Sequence, residues 1–139
     1  METTTKKKVN DLTRLIIGAA IEVHKILGPG LLEKVYEAAL MHELRLRGLK
    51  VVRQQAIIVN YKGVDLDCEL RYDLLVEDLI ICELKSTREM HPIFDATLIS
   101  YMKHLEKPKG ILINFHVRNI YYEGQKTFVN EYFSALPEG

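Results

Sequence analysis

Three ionisable residues interrupt otherwise apolar, strand-like sequence: Asp73 within Tyr72-Asp73-Leu74-Leu75-Val76, and Glu83 with Lys85 within Ile80-Ile81-Cys82-Glu83-Leu84-Lys85. A charge in a central strand is costly unless it pairs or binds something. Side chains alternate along a strand, so Glu83 and Lys85 share a face roughly 7 Å apart. Two carboxylates and an ammonium on adjacent strands make a hard-oxygen site for Mg²⁺ (or Mn²⁺). Such a site suits phosphodiester hydrolysis: Asp73, Glu83 and the Leu84 carbonyl would hold the ion, while Lys85 orients the attacking water and balances charge on the phosphate. The structural alternative is a salt bridge between Asp73 and Lys85 at a strand end, with Glu83 an exposed residue of an amphipathic strand.

The shared site puts a condition on register. A two-residue loop at Glu77-Asp78 would set Asp73 opposite Cys82 and leave Glu83 on the wrong face. A three-residue loop, Glu77-Asp78-Leu79, or a bulge is therefore expected, because either brings Asp73 opposite Glu83. Glu33 is a further candidate, since Tyr36, Leu40 and Leu44 follow it at helical spacing and place it at the start of an apolar face. Read that way it points inward, toward a metal-bound water or Lys85. Read as a first-turn residue, it is simply favoured by the helix dipole.

The elements that must position these residues follow from periodicity and punctuation. A polar, lysine-bearing start, Met1 to Val9, reads as a disordered tail, and residues 10–139 as one domain. Asn10 or Asp11 is expected to cap a helix with apolar positions Leu12, Ile16, Ala19, Val23 and Leu27. Gly28-Pro29-Gly30 ends it, and a second helix runs from about Leu31 to Arg47, stopped by Gly48. Val51 to Tyr61, Val64 to Val76 and Leu79 to Ser86 read as three sequential strands. Pro92 opens a third helix with a Phe94, Leu98, Tyr101, Leu105 stripe. Gly110 to His116 is a buried strand, Asn119 to Glu123 reads as another, and Lys126 to Phe133 is ambiguous between strand and helix. The order implies an α/β fold with a mixed sheet: an antiparallel meander, then a crossover through the third helix to a parallel neighbour.

Composition narrows the function classes. The 139 residues are 47% hydrophobic, enough for a contiguous core, and no apolar run approaches the roughly 20 residues of a membrane span. Cys68 and Cys82 lie in strand-like sequence and read as buried thiols of a reducing, cytoplasmic compartment. The five histidines lie too far apart for a zinc site, and Gly28-Pro29-Gly30 with Lys34 has the wrong spacing for a phosphate-binding loop. Formal charge sums to zero, so nucleic acid would have to be held by a local patch. Lys34, Lys103, His104, Lys107 and Lys109 are weak candidates for it. His24 lies beside the apolar stripe of Ile17 and Ile21 and reads first as a structural histidine, with phosphate contact as the minority case.

The sequence resembles the GxxExxY proteins of the PD-(D/E)XK nuclease superfamily. The naming motif stands intact as Gly30-Leu31-Leu32-Glu33-Lys34-Val35-Tyr36, preceded by Glu22-Val23-His24 and Leu27-Gly28-Pro29-Gly30. Arg71-Tyr72-Asp73-Leu74-Leu75-Val76-Glu77-Asp78 and Glu83-Leu84-Lys85 complete the likeness, which spans about Asp11 to Phe115. It implies a restriction-endonuclease-like core of order ααβββαβ(β), with Asp73 as the first acid, Glu83 and Lys85 as the (D/E)XK pair and Glu33 as an additional helical acid. Relatives resembling nucleases of recombination and repair carry a glutamine four residues before a tyrosine in the third helix, where this chain has Thr97 before Tyr101.

The expected function is therefore a metal-dependent nuclease acting on DNA or RNA. Tyr36, Tyr101, His24 and Arg71 are weaker substrate-contact candidates. The alternative is a non-catalytic descendant that keeps the fold as a nucleic-acid-binding or protein-interaction module, a homodimer included. A hydrolase for a small phosphate ester would instead show an enclosed pocket.

Overall fold

The computed structural model describes residues 3–139, apart from the side chains of Asp67 and Glu69. Helix α1 spans Lys6–Leu27 and α2 spans Glu33–Leu46. Strands β1 (Val51–Arg53), β2 (Ala56–Tyr61), β3 (Val64–Arg71), β4 (Leu74–Val76) and β5 (Ile80–Lys85) follow. Then come α3 (Pro92–Leu105), β6 (Lys109–Asn114), a single π-helical turn (Ile120–Gly124), β7 (Gln125–Val129) and the short α4 (Glu131–Ser134).

The first helix begins earlier than its polar start suggests. Thr5 Oγ1 accepts the Lys8 N–H at 3.1 Å, and the Lys6 and Lys7 N–H groups donate to the carbonyls of Pro137 and Glu138 at 2.8 and 3.1 Å. The C-terminal segment thus satisfies amides that a helix start leaves open. Lys6 to Val9, expected as part of a tail, form the first turn, and Val9 is fully buried. The lysines there oppose the helix dipole but are partnered, Lys7 by Asp11 at 2.8 Å and Lys6 by Glu138 at 2.9 Å. Helix α2 ends as its glycine predicts: Gly48 has φ 81°, with the Leu49 N–H bonded to the Leu44 carbonyl and the Gly48 N–H to the Arg45 carbonyl.

Five strands form the main sheet in the order β1-β4-β5-β6-β7, with β5 and β6 parallel and the other neighbours antiparallel. This is the mixed sheet flanked by helices that the element order implies. Alternation along β5 splits the core. Ile80, Cys82 and Leu84 join a cluster with α1 and α2, whereas Ile81 joins Leu98 and Met102 of α3 on the other face.

The meander is less regular than three strands. Its first hairpin is one bent ribbon: β1 pairs with β4 inside the main sheet, and β2 pairs with β3 as a separate two-stranded sheet. The break falls at Gln54-Gln55 and Tyr72-Asp73. Because β3 leaves the main sheet, Cys68 is exposed, contrary to its expected burial, while Cys82 is buried. The expected strand at Asn119 to Glu123 is the π-helical turn, started by Asn119 Oδ1 accepting the Tyr122 N–H at 2.9 Å. The ambiguous tail resolves into β7 followed by α4.

Candidate active site

The loop between β4 and β5 decides whether the acids meet. Val76 pairs with Ile80, which leaves Glu77, Asp78 and Leu79 as the connection. Glu77 and Asp78 take φ of 52° and 57°, and the Leu79 N–H donates to the Val76 carbonyl at 3.0 Å. Two successive left-handed residues closed by that bond twist as a hairpin requires, and Leu79 is the extra residue. With Leu74 opposite Cys82, continuing the register sets Asp73, just before β4, opposite Glu83.

Two hydrogen bonds fasten the pair. The Asp73 N–H donates to Glu83 Oε1 at 3.0 Å, and the Leu84 N–H donates to Asp73 Oδ2 at 2.7 Å. A strand residue directs its N–H and carbonyl to the same side, so the Leu84 carbonyl also points toward the end of β4. Lys85 Nζ lies 4.2 Å from the centroid of the Phe94 ring, a cation–π contact that holds the ammonium against α3. The expected alternative, an Asp73–Lys85 ion pair beside an exposed Glu83, is not what forms: Glu83 is buried, and no such pair occurs among the described residues.

Helix α2 supplies a different acid from the expected one. Glu33 opens the helix and is exposed, the placement of a first-turn residue favoured by the dipole, whereas Glu37, one turn on, is only 5% exposed. Glu37 has the spacing to share the face of Leu40 and Leu44, so the signal was present in the sequence but pointed equally to two residues. Gln54 is the second residue that periodicity missed. Its backbone is left-handed at φ 51°, its N–H donates to the Asp73 carbonyl at 3.0 Å, and it sits at the break in the ribbon. Gln54 Nε2 then donates to Glu37 Oε1 at 2.8 Å and Asp73 Oδ1 at 3.2 Å, joining the two carboxylates. Arg53 Nε adds a longer contact to Glu37 Oε1 at 3.8 Å.

Burial and crowding of like charge set the protonation of the pair. Burial raises the Asp73 carboxyl, with Glu37 and Glu33 adding to the rise and the Leu84 N–H and Lys85 opposing it. Burial pushes Glu83 up to about 8, reinforced by Asp73 and opposed by the Asp73 N–H and Lys85. Tyr101, half-buried on α3, is raised by burial and then by the charges of Glu83 and Asp73. Of the four weaker candidates it is the one whose electrostatics register the acid pair.

The other three have structural employment. Tyr36 is fully buried, stacked on Phe115 at 4.3 Å, and its hydroxyl donates to the Gly28 carbonyl while accepting the Leu31 N–H at 3.1 Å. It shapes the Gly28-Pro29-Gly30 loop from within the core. His24 Nε2 lies 2.8 Å from the Val117 carbonyl, which can only accept, so that nitrogen carries the proton and the imidazole ties α1 to the loop after β6. Arg71 Nη1 donates to the Gln54 carbonyl at 2.8 Å and braces the ribbon break. Two of the lysines considered for phosphate also have structural partners or burial. Lys109 is buried opposite Ile80, at the far end of β5 from Lys85, and Lys107 pairs with Asp78 at 2.9 Å.

A family model of the PD-(D/E)XK nuclease superfamily matches residues 10–127. The chain belongs to the PD-(D/E)XK nuclease superfamily. No match is found among curated proteins or among solved structures. Membership in the PD-(D/E)XK superfamily brings nuclease-like function, and PD-(D/E)XK nucleases generally use divalent metals. The donor set here fits such an ion. It is all oxygen, offering Asp73, Glu83 and a peptide carbonyl, with the acids held in excess of nearby cations. Among the described residues no three His, Cys, Asp or Glu side chains are gathered closely enough to hold a metal by themselves. A hard cation that keeps much of its water shell asks for only one or two carboxylates. No helix of the described residues is long and apolar enough to cross a membrane.

Proposed function

We propose that this chain is a GxxExxY-type, Mg²⁺- or Mn²⁺-dependent phosphodiesterase acting on DNA or RNA. The reading is carried by one observation: Asp73 and Glu83 meet, tied by the Asp73 N–H to Glu83 Oε1 at 3.0 Å, and burial raises both carboxyls, with neighbouring acids adding to the rise. A divalent cation would relieve that repulsion while polarising a phosphodiester and acidifying its bound water. Asp73, Glu83 and the Leu84 carbonyl would hold it. Lys85, fixed over Phe94, orients the attacking water and offsets charge that develops on the phosphate. Glu37 holds Asp73 in place through Gln54, and Glu33 lines the mouth as an accessory acid. Tyr101 contributes a hydroxyl beside the acids.

Thr97 favours a second reading, a nucleic-acid-binding or protein-interaction module without catalysis, because its side chain cannot copy a glutamine's reach. Two measurements separate the readings. Mn²⁺ should raise the melting temperature of the wild type and leave Asp73→Ala unshifted; equal behaviour of the two would reject the metal site. Lys85→Ala should keep the metal-induced shift but lose cleavage of single-stranded, duplex and branched substrates. Residual cleavage equal to wild type would mark a contaminant and leave the binding module.

A further inference from the structure

A cleft opens beside Asp73. It measures about 390 Å³ and is lined by Glu33, Lys34 and Glu37 of α2 together with Arg53, Gln54 and Asp73. Glu33 and Lys34 also wall a second open cleft of about 590 Å³, which runs past Leu31, Leu32 and Ser86 to His116. His116 is shared in turn with a third, also about 590 Å³, bounded by Pro29, Arg88 and Arg118. Shared walls join the three into one groove, running from Asp73 over the Gly28-Pro29-Gly30 loop.

The far end of this groove is built. Arg88 follows β5 and Arg118 follows β6, the parallel pair whose ends are matched at Lys85 and Asn114. Asn114, 4% exposed, ties the two loops together: its Oδ1 accepts the N–H of Thr87 at 3.2 Å and of His116 at 3.1 Å, and its Nδ2 donates to the Thr87 carbonyl at 2.9 Å. Among the described residues, Lys34, Arg88 and Arg118 are exposed and carry no ion pair. Glu123 is the acid lining that far cleft, facing two guanidiniums and an imidazole. Leu32, 77% exposed, and Met90, 42% exposed, offer apolar surface along the route.

From this geometry we infer that the substrate is an extended nucleic-acid strand lying along the groove, with Arg88 and Arg118 taking phosphates beyond the scissile one and Lys34 a phosphate between. Guanidiniums on pre-tied loops suit bidentate phosphate contact, and the unpaired charge supplies the local patch that a net-neutral chain otherwise lacks. The inference rests on the nuclease reading for its polarity relative to the acids.

The test is equilibrium binding of a labelled strand of about 20 nucleotides, followed by fluorescence anisotropy with divalent cations chelated so that cleavage is silent. The full chain is compared with Arg88→Ala/Arg118→Ala and with Lys50→Ala/Lys62→Ala, an equal charge loss on exposed residues outside the groove. The arginine variant should bind on the order of tenfold more weakly, and its log–log salt slope should fall by about 1.4 to 1.8, two phosphates' worth. The lysine variant should stay near wild type, and thermal melts should show all three folded. Equal losses in the two variants, or none in the arginine variant, would overturn the groove. Failure of the wild type to bind any nucleic acid would overturn the groove and the nuclease reading together. Arginine-dependent binding without cleavage in Mn²⁺ would support the groove and reject only catalysis.

Discussion

The peptide N–H of Asp73 donates to Glu83 Oε1 at 3.0 Å, so the backbone of one acid neutralises part of the charge of the other. The bond opposes the rise that burial and neighbouring acids impose on Glu83 without cancelling it, and Asp73, half-buried, is raised by burial as well. Stability and pH are therefore linked at this pair, and under the proposed function metal affinity would be linked to both.

The pH dependence has a definite sign. Glu83 is raised in the folded chain to about 8 from an ordinary value of 4.5, so the native state binds more protons than the unfolded state between those limits. The metal-free protein should lose stability as pH rises through that window, fully stabilised only below it. Thermal melts from about pH 5 to about pH 9 should show a falling Tm, and Glu83→Gln should flatten the curve while still accepting the Asp73 N–H. A wild-type Tm that rises across the window would contradict the burial argument. Mn²⁺ should raise Tm more at the alkaline end, where it replaces the lost protons.

Glu37 and Glu33 should part company on mutation. Glu37→Ala removes the shorter of the two acceptors of Gln54 Nε2 and opens space under α2, costing about 1–3 kcal/mol in urea unfolding. Glu33→Ala touches an exposed side chain and should stay within about 0.5 kcal/mol. The reverse order would restore Glu33 as the inward-facing acid.

Tyr36→Phe tests whether the motif tyrosine is structural. Losing a hydroxyl that bonds both Gly28 and Leu31 should cost about 1–2 kcal/mol while the ring still stacks on Phe115. Any fall in cleavage should follow loosening of the loop and recover on cooling. A kcat loss at full stability would instead put the hydroxyl in the chemistry.

Gly110 marks where α3 crosses the sheet. A Cβ there would stand 2.6 Å from Met102 Sδ and 2.9 Å from Leu98 Cγ, both fully packed. Gly110→Ala should destabilise by about 1–3 kcal/mol, read as a lower urea midpoint, and because α3 carries Phe94 and Tyr101 it should also weaken activity. Unchanged stability would mean that α3 adjusts its distance freely.

Local chemistry alone made much of this legible. Period-two alternation placed Glu83 and Lys85 on one face, and the demand that Asp73 join them required the three-residue loop that Glu77, Asp78 and Leu79 form. Proline and glycine at Pro92 and Gly48 marked helix ends because their backbone preferences act within a single turn. The tertiary structure decided the rest, since it depends on which distant segments occupy the ends of the sheet. Whether Glu33 or Glu37 faces inward turns on the roll of α2 against β5, a few tens of degrees that a shared apolar stripe leaves open. The bend at Gln54 and the displacement of β2 and β3 arise because a long hairpin cannot both pair within the main sheet and reach past it. Lys109 and Arg118 look alike as isolated cations; the parallel pairing of β5 with β6 puts the first at the end away from Lys85 and the second just beyond it.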